Sequence, residues 1–243
     1  CIVRAAAAGG LAAGAPFARA VAAPPPDEGI FSTSPRLMTV SFIPFADWQG
    51  ATANLAIRDL KTGAIRRLTN DATGVAWAEN PVPSPAGRRI AYRWGEDNST
   101  IRIIDEDGTN MRILLYDAHD HYLSAWSPDG QYLLAMHEGP DRPSTIVRIS
   151  ASDGTITPVK PLGDRRVALG DISPDGRFFL YALNGDGQTG SGGVFAMSPD
   201  GTQETPLTEG TAAFGTPVWT PDGQHVVFPS TRSGGSMIRA SLT

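Results

Sequence analysis

One four-residue turn recurs four times along this chain at nearly constant spacing. The copies begin at residues 84, 127, 173 and 220, and they read Ser-Pro-Ala-Gly, Ser-Pro-Asp-Gly, Ser-Pro-Asp-Gly and Thr-Pro-Asp-Gly. Proline presets the backbone for the first central position of a turn, aspartate accepts hydrogen bonds from nearby backbone N–H groups, and glycine supplies the positive φ that returns the chain. These residues are therefore interpreted as structural, with no need to contact a ligand.

A second series of turns has the same period. Its glycines are Gly63, Gly108, Gly154 and Gly201, which lie 45, 46 and 47 residues apart. Each turn of either series separates two short runs rich in Val, Ile, Leu, Phe and Tyr, which is typical of consecutive β-hairpins. One unit is thus two hairpins. An array of such units, with a period of about 40–50 residues, predicts an all-β fold and more narrowly a β-propeller.

The number of units predicts five blades of about 45 residues, with the last blade incomplete or closed by an N-terminal strand. Residues 36–70 form a divergent first unit, and the last unit begins near Thr216 and supplies three strands up to Thr243. Either Ile30–Thr33 adds the missing outer strand, or the last blade is short, or the ring is open. The strands expected in the first unit are Leu37–Phe42, Asn54–Asp59 and Ile65–Thr69.

The repeats also carry a family resemblance. An aromatic or small residue, then Ser/Thr-Pro-Asp-Gly, then a hydrophobic strand, clearest from Ala125–Gly130 and Val218–Gly223, resembles the WD40-like (PD40) repeats of TolB-type β-propellers. The resemblance covers about residues 30–243 and implies a periplasmic propeller with protein partners. The same repeat occurs in the propellers of prolyl oligopeptidase-like peptidases, whose chemistry resides in a separate hydrolase domain. TolB-type proteins carry an α/β domain before the propeller, and an Ala/Gly/Pro-rich segment takes that place here.

Composition indicates one folded domain, which is expected at residues 29–243. The 243 residues are 41% hydrophobic and 19% charged, which suffices for a substantial core. The net charge is −5, and the 20 Lys and Arg residues are scattered along the repeats. Because nucleic-acid-binding proteins usually carry a concentrated basic stripe, no nucleic-acid partner is expected.

The N-terminal segment predicts a tether. Residues 5–26 are almost entirely Ala, Gly and Pro, and such a segment has too little apolar area to pack, so residues 1–28 are expected to be flexible. A lone cysteine at position 1 before such a linker resembles a bacterial lipoprotein after signal-peptide removal. This pattern predicts lipid attachment at Cys1 and a periplasmic or extracytoplasmic location, with membrane contact through the lipid only; the alternative is a fragment boundary.

Signatures of catalysis are absent from the sequence. It contains no Gly-x-Ser-x-Gly motif, and its only cysteine is Cys1, so the usual nucleophile arrangements lack their pattern. The stretch His119-Asp120-His121 is interpreted as a polar surface loop, and His137 and His225 as isolated structural histidines. We therefore expect no enzyme activity, no cofactor and no metal ion.

Two acids are nevertheless candidates for the central channel. Glycoside hydrolysis needs two carboxylates about 5–10 Å apart across the sugar. Asp171 lies directly before a turn, where a strand should face the channel, and Glu79 is assigned to the matching position of an earlier unit.

Loops within the units are the candidate interaction sites. The segments 95–100, 139–144, 184–193 and 230–236 occupy equivalent positions in their units and should lie together on one rim. Variable loops on a rigid scaffold often carry binding. The residues selected from them are Asp97, Asn98, Pro140, Arg142, Pro143, Asn184, Asp186 and Arg232.

Two hypotheses about function follow from the sequence. The first is a non-catalytic extracytoplasmic protein-interaction module, a lipid-anchored accessory or scaffold subunit that docks on a membrane-associated protein complex. The second is a protein that binds a glycan or peptide in the central channel, or a glycosidase-like enzyme. The lack of convergent acids or a nucleophile favours the first hypothesis.

Overall fold

The computed structural model describes residues 41–50, 52–95, 99–117, 119–139, 142–163, 165, 167–183, 192–208, 215–229 and 237–241. Within these residues the fold is all β, and antiparallel strands form five sheets. The first sheet contains β1 (Phe42–Gln49), β2 (Thr52–Asp59) and β3 (Ile65–Arg67). The second contains β4 (Trp77–Pro83), β5 (Arg89–Gly95), β6 (Thr100–Asp105) and β7 (Arg112–Tyr116).

The remaining sheets follow in chain order. The third contains β8 (Asp120–Trp126), β9 (Tyr132–Gly139), β10 (Arg142–Ser150) and β11 (Ile156–Gly163). The fourth contains β12 (Val167–Ile172), β13 (Phe179–Leu183), β14 (Gly193–Met197) and β15 (Glu204–Pro206). The fifth contains β16 (Val218–Trp219), β17 (His225–Pro229) and β18 (Met237–Ser241). In every sheet each strand is hydrogen-bonded to the next strand of the chain.

The sheets are arranged as propeller blades. Their first strands β4, β8, β12 and β16 pack on one another in chain order, whereas the last strands β3 and β15 are exposed along their whole length. The all-β propeller is therefore confirmed. The predicted five blades are not confirmed, because the described residues form three complete four-stranded blades and two terminal sheets of three strands.

The first unit differs from the sequence prediction. The expected strand Leu37–Phe42 shares only Phe42 with β1, which continues to Gln49 because all eight of its residues pair with β2, from Phe42 opposite Asp59 to Gln49 opposite Thr52. Residues 37–40, the tether 1–28 and the closing segment Ile30–Thr33 lie outside the described residues.

Four apolar clusters fill the spaces between consecutive sheets. Adjacent residues of one strand enter different clusters: Leu133 packs toward the second sheet and Leu134 toward the fourth, and Phe179 and Leu180 divide in the same way between the third and fifth sheets. All four side chains are fully buried. Both faces of these strands are thus covered, which explains why their sequences are unbroken apolar runs.

The Ser/Thr-Pro turns form as their residues predict. In the turn at 127–130, the Ser127 Oγ accepts a hydrogen bond from the Tyr132 N–H at 3.0 Å, and the Asp129 carboxylate accepts one from the Gln131 N–H at 3.0 Å. The Gly130 N–H donates to the Ser127 carbonyl at 2.8 Å, with Gly130 at a φ of 74°. The first copy lacks the carboxylate, yet the Ser84 Oγ still accepts the Arg89 N–H at 3.0 Å.

The second series of turns also joins neighbouring blades. A Cβ built on Gly154 would lie 2.2 Å from the Leu114 carbonyl oxygen in the preceding blade, and one on Gly201 would lie 2.5 Å from the Val159 carbonyl oxygen. The guanidinium of Arg112 donates to the carbonyl oxygen of Ala151, at the start of the turn that contains Gly154, at 2.6 Å. These glycines are therefore required both for a positive φ and for close approach of two backbones.

Two glycine substitutions separate these requirements. Gly130 and Gly154 have nearly the same φ, 74° and 77°, but no atom lies within 4 Å of a Cβ on Gly130. We expect Gly130→Ala to lower the free energy of unfolding by about 1–2 kcal/mol through left-handed strain alone. Gly154→Ala adds an overpacking cost and should lose about 2–4 kcal/mol in urea denaturation. Equal losses would contradict the blade contact.

An aspartate in the turn at 198–201 carries a pH-dependent part of the stability. The Asp200 carboxylate accepts hydrogen bonds from the Ser198 hydroxyl, the Thr202 N–H and the Thr202 hydroxyl, at 2.5, 3.1 and 2.9 Å. These bonds, that of Ser198 first, lower the pKa of Asp200 to about 2. A depressed carboxylate pKa means that the ionised side chain stabilises the fold above its unfolded pKa, and that this stabilisation is lost as pH falls through the folded value.

We therefore expect Asp200→Asn to reduce the urea midpoint at pH 6. The difference from wild type should shrink between about pH 4 and pH 2, where the Asp200 carboxylate takes up its proton. The control is Glu106→Gln, since Glu106 is an exposed acid on a turn of the same series. A difference that stays constant from pH 6 to pH 2.5 would show that the Asp200 charge has no part in it.

Candidate functional site at the upper rim

Both ends of the blades expose large apolar side chains, but among the described residues only one end exposes aromatic ones. We call the end that carries the Ser/Thr-Pro turns the lower rim and the opposite end the upper rim. At the upper rim Trp48 pairs with Ala53, Trp77 with Gly95 and Tyr116 with Thr100. The rings of Trp48 and Trp77 come from different sheets, with centroids 6.4 Å apart. The rims of the first and second sheets therefore form one surface.

Large apolar side chains are exposed on this surface. The exposed fractions are 50% for Trp48, 73% for Val75 and 67% for Tyr116, and Tyr122 of the next sheet is 37% exposed. Side chains with so much surface in water contribute little to the hydrophobic core. Exposed apolar patches often mark interaction sites. The repeat pattern does not mark these residues, because they lie near strand ends or, for Val75, in the segment before β4, where the alternation of apolar and polar residues stops.

A buried arginine joins the second and third sheets at the upper rim. The Arg93 guanidinium forms ion pairs with Glu79 of its own sheet and Asp120 of the next, and it lies 5.2 Å from the centroid of the Tyr122 ring. Burial lowers the pKa of Arg93, but the hydrogen bonds and charges of Asp120 and Glu79 together raise it above its usual value. The Glu79 carboxylate also accepts a hydrogen bond from the Trp77 indole N–H.

Loss of this arginine should destabilise the rim. Arg93→Ala leaves two carboxylates without their shared cation, and removal of one partner of a fully buried ion pair costs about 3–5 kcal/mol. Because the side chains of Glu79 and Asp120 are 28% and 46% exposed, solvent screening reduces the expected loss to about 2 kcal/mol. The control, Arg177→Ala, removes the exposed ion pair with Asp175 and should cost less than about 1 kcal/mol by urea denaturation.

The two candidate channel acids do not occupy matching positions. Glu79 pairs with Arg93 near the upper rim, five residues before Ser84, whereas Asp171 lies two residues before Ser173, near the lower rim. The Asp171 carboxylate accepts the N–H of Ile172 at 2.8 Å. Because the pairing shifts between Glu79 and Val82, this offset of three residues spans two residues of the partner strand, about 7 Å. The assignment of both acids to one position was therefore wrong. Glu79 is already engaged by Arg93 and the Trp77 indole.

A histidine cluster lies beside this network. The Nδ1 of His137 is 2.9 Å from the Nε2 of His121, and the Nδ1 of His119 is 2.8 Å from a carboxylate oxygen of Asp117. The His121 Nδ1 is 3.1 Å from the His119 carbonyl oxygen. Burial, followed by the neighbouring His137, lowers the pKa of His121 to about 4, so this imidazole is neutral near pH 7.

The interpretation of these histidines from the sequence was wrong. Asp120 and His121 begin strand β8 and are not in a surface loop, and His121 is buried, with 1% of its surface exposed. His137 is not isolated, because it lies opposite His121 in the pairing of β8 with β9. The centroid of its ring is also 4.8 Å from that of the His119 ring. The sequence did contain one signal of this contact: His121 and His137 are 16 residues apart, at the far ends of the two strands of one predicted hairpin.

A cavity of about 440 Å³ lies along the propeller axis. It is bounded by the first strands of the second, third and fourth sheets and by the segment before β16, and its lining includes Asn80, Tyr122, Ser124, Leu169 and Thr216. Asn80 has a φ of 45°. The Ser124 hydroxyl donates to the Leu169 carbonyl at 3.0 Å and so ties two blades together at the cavity wall.

Most residues proposed for the interaction loops lie outside the described part of the chain. These are Asp97, Asn98, Pro140, Asn184, Asp186 and Arg232, as well as Cys1; for Arg142 and Pro143 only the strand position in β10 is described. These loops connect the two strands of the hairpins β5–β6, β9–β10, β13–β14 and β17–β18. In all four hairpins the connected strand ends lie at the upper rim. In the described residues no helix is long and apolar enough to cross a bilayer.

The blades, their turns and the axial cavity define a β-propeller. Its family is shown by sequence: the model of the PD40 family, described as the TolB beta propeller domain, matches residues 93–241. The chain belongs to this family. A curated relative, the Tol-Pal system protein TolB of Anaeromyxobacter dehalogenans (strain 2CP-C), is 32% identical over 135 residues, which are 55% of this chain and 30% of the relative. The chain thus spans less than a third of that protein.

Solved structures share the fold. TolB from Acinetobacter baumannii superposes with a TM-score of 0.63 at 16% identity over 79% of this chain and 49% of its own. The putative TolB from Agrobacterium tumefaciens gives 0.59 at 22% identity, over 74% and 64% of the two chains. An oligogalacturonate lyase in complex with manganese gives 0.58 at 19% identity, over 79% and 54%. Enzymes and TolB proteins therefore share this architecture, and the architecture alone does not assign a function.

Proposed function

We propose that this propeller is a non-catalytic protein-interaction module of the cell envelope that binds a protein partner through its upper rim. The observation that carries the proposal is the exposure of Trp48 and Tyr116 near the ends of strands on that rim, with Val75 exposed in the segment before β4. Aromatic side chains are enriched at the energetically dominant positions of protein interfaces. Because a strand end holds such a side chain in place, binding costs little ordering entropy.

The arrangement of charges at the upper rim favours a partner that binds chiefly through apolar contacts. Arg93 is paired with Glu79 and Asp120 within the propeller, so a partner does not need to supply a matching charge at this point. The apolar side chains beside the network are then the main source of binding free energy, at about 25 cal/mol per Å² of buried apolar surface before the costs of association.

The relatives support the kind of partner. The curated relative is by its name a protein of the Tol-Pal system, and we propose by analogy an extracytoplasmic location and a protein partner for this chain. We also propose a ring of five blades, in which a strand outside the described residues completes the fifth blade. Docking on a membrane-associated complex and lipid attachment at Cys1 are further predictions, and the mass of the Cys1 peptide tests the latter.

Binding of a glycan or peptide in the axial cavity is the alternative. The cavity of about 440 Å³ is large enough for a small ligand. The offset between Glu79 and Asp171 and the engagement of Glu79 by Arg93 argue against glycosidase chemistry. Calorimetry against glycans and short peptides tests this alternative. Stoichiometric binding that is abolished by Glu138→Gln, a substitution in the cavity lining, would favour it over the interaction module.

Site-specific photo-crosslinking tests the proposed function. A benzophenone amino acid is placed at Trp48 or at Tyr116 on the upper rim, and at Ile65 or Ile113 on the lower rim as matched controls. Both control residues are 53% exposed. In cells of the source organism we expect a crosslink to one protein from the upper-rim positions only. Equal crosslinking from both rims would contradict a specific upper-rim interface.

Affinity measurements with the crosslinked partner complete the test. Loss of an interface aromatic costs at least about 1.4 kcal/mol, which is tenfold in Kd, where the residue is a dominant contact. We therefore expect Trp48→Ala and Tyr116→Ala each to weaken binding about tenfold or more. Ile65→Ala and Ile113→Ala should change the affinity less than about twofold. Unchanged affinity in both aromatic variants would refute the proposal.

A further inference from the structure

We propose that Asp117, His121 and His137 form a binding site for a divalent transition-metal ion of the zinc class. The site lies at the upper rim of the third sheet, where Asp117 precedes β8, His121 is the second residue of that strand and His137 lies two residues before the end of β9. One ligand atom from each of the three residues lies within 4.8 Å of the other two. The proposal is independent of the protein-interaction function.

The distances suit a tetrahedral ion. Zinc binds imidazole nitrogen at about 2.0–2.1 Å and carboxylate oxygen at about 2.0–2.2 Å, which places neighbouring ligand atoms about 3.4 Å apart in a tetrahedron. The Nε2 of His121 is 2.9 Å from the Nδ1 of His137 and 3.8 Å from a carboxylate oxygen of Asp117. Both separations lie within about 0.5 Å of the ideal value. The third pair, Asp117 and His137, lies within 4.8 Å, so binding of one ion requires a side-chain rotation that brings these two ligands closer together.

The hydrogen bond at the other nitrogen prepares His121 as a ligand. Its Nδ1 lies 3.1 Å from the His119 carbonyl oxygen, which can only accept, so the Nδ1 carries the proton. In the neutral ring the Nε2 therefore presents its lone pair toward Asp117 and His137. Metal-binding histidines are usually oriented in this way by a carbonyl or carboxylate partner.

His119 orients the carboxylate of the site. Its Nδ1 is 2.8 Å from the Oδ1 of Asp117, which leaves the Oδ2 directed toward His121. The ring has room because residue 139 is glycine: a Cβ there would lie 2.3 Å from the Cδ2 of His119. His119 thus acts as a positioning residue that holds Asp117, and it is not itself one of the three ligands.

The donor set favours one class of metal. Two imidazole nitrogens and one carboxylate oxygen suit zinc, cobalt or nickel, whereas calcium and magnesium prefer six or more oxygen ligands. Three protein ligands leave the fourth position of a tetrahedral ion for water or for a group of a bound molecule. The alternative is a purely structural pair of histidines, in which the His137 Nδ1 donates its proton to the His121 Nε2.

Metal titration of the full chain separates these two states. The protein is dialysed against a chelator and titrated with Zn²⁺, and separately with Mn²⁺, by calorimetry at pH 7.5. We expect one equivalent of Zn²⁺ to bind, with weaker binding of Mn²⁺ as the general order of metal affinities requires. Absence of stoichiometric Zn²⁺ binding by the wild-type protein would overturn the proposal.

Variants assign the ligands. Asp117→Asn, His121→Gln and His137→Gln should weaken Zn²⁺ binding by more than roughly 100-fold, and His119→Gln, which removes only the positioning contact, by roughly 10- to 100-fold. His225→Gln removes the fourth histidine of the chain, and Cys1→Ser removes its thiol; both should bind as wild type. If either control loses Zn²⁺ binding while Asp117→Asn retains it, the ion binds elsewhere and the assignment is wrong.

A measurement on the wild-type protein covers the possibility that a buried variant fails to fold. In the ¹⁵N spectrum of the imidazole groups, addition of Zn²⁺ should shift the Nε2 of His121 and the Nδ1 of His137, while the Nδ1 of His121 remains protonated. Resonances of His121 and His137 that do not change at one equivalent of Zn²⁺ would refute the site.

Discussion

The hydroxyl oxygen in each Ser/Thr-Pro turn determines the register of the two innermost strands of its blade. It accepts the N–H of the residue five positions later at 2.9–3.1 Å in all four turns. The backbone of the same Ser or Thr donates to the carbonyl oxygen of that residue. The turn at residue 84 has no aspartate and keeps both bonds, so the hydroxyl is the constant element. Since a slip of one residue would move every side chain to the other face, these bonds determine which residues meet at the upper rim.

Irregularities in the innermost strands modify that register. The pairing shifts between Glu79 and Val82 in the second sheet, and between Leu169 and Ile172 in the fourth. A bulge adds a residue to one strand and re-aims the side chains beyond it. The shift falls at the same distance from the turn in both sheets, so the counterpart of Glu79, opposite Arg93, is Ala168, opposite Ala182, and not Asp171.

The sequence was sufficient to predict the all-β propeller, but neither the number of blades nor the candidate site. The effects of turn residues and apolar runs extend over only a few positions of the chain, and so the hairpin on either side of each turn could be located from the pattern. The histidine cluster depends on His121 and His137, which are 16 residues apart, and on Asp117 in the segment before β8, and the ion pairs of Arg93 join two blades. Contacts of this kind require the packing of whole sheets, which a local pattern does not contain.

Glycine turns of the second series pack on the blade that precedes them in the chain, so this contact between two neighbouring blades is made by the turn of the later blade. The turn of Gly154 lies against the backbone of Leu114, and the turn of Gly201 lies against that of Val159. Each contact needs the last strand of the earlier blade in place, so the propeller behaves as a row of nearest-neighbour units. Insertions in the loops of the upper rim leave these backbone contacts in place, whereas lengthening a glycine turn disturbs two blades. The freedom to diverge is therefore concentrated on the face where Trp48 and Tyr116 are exposed.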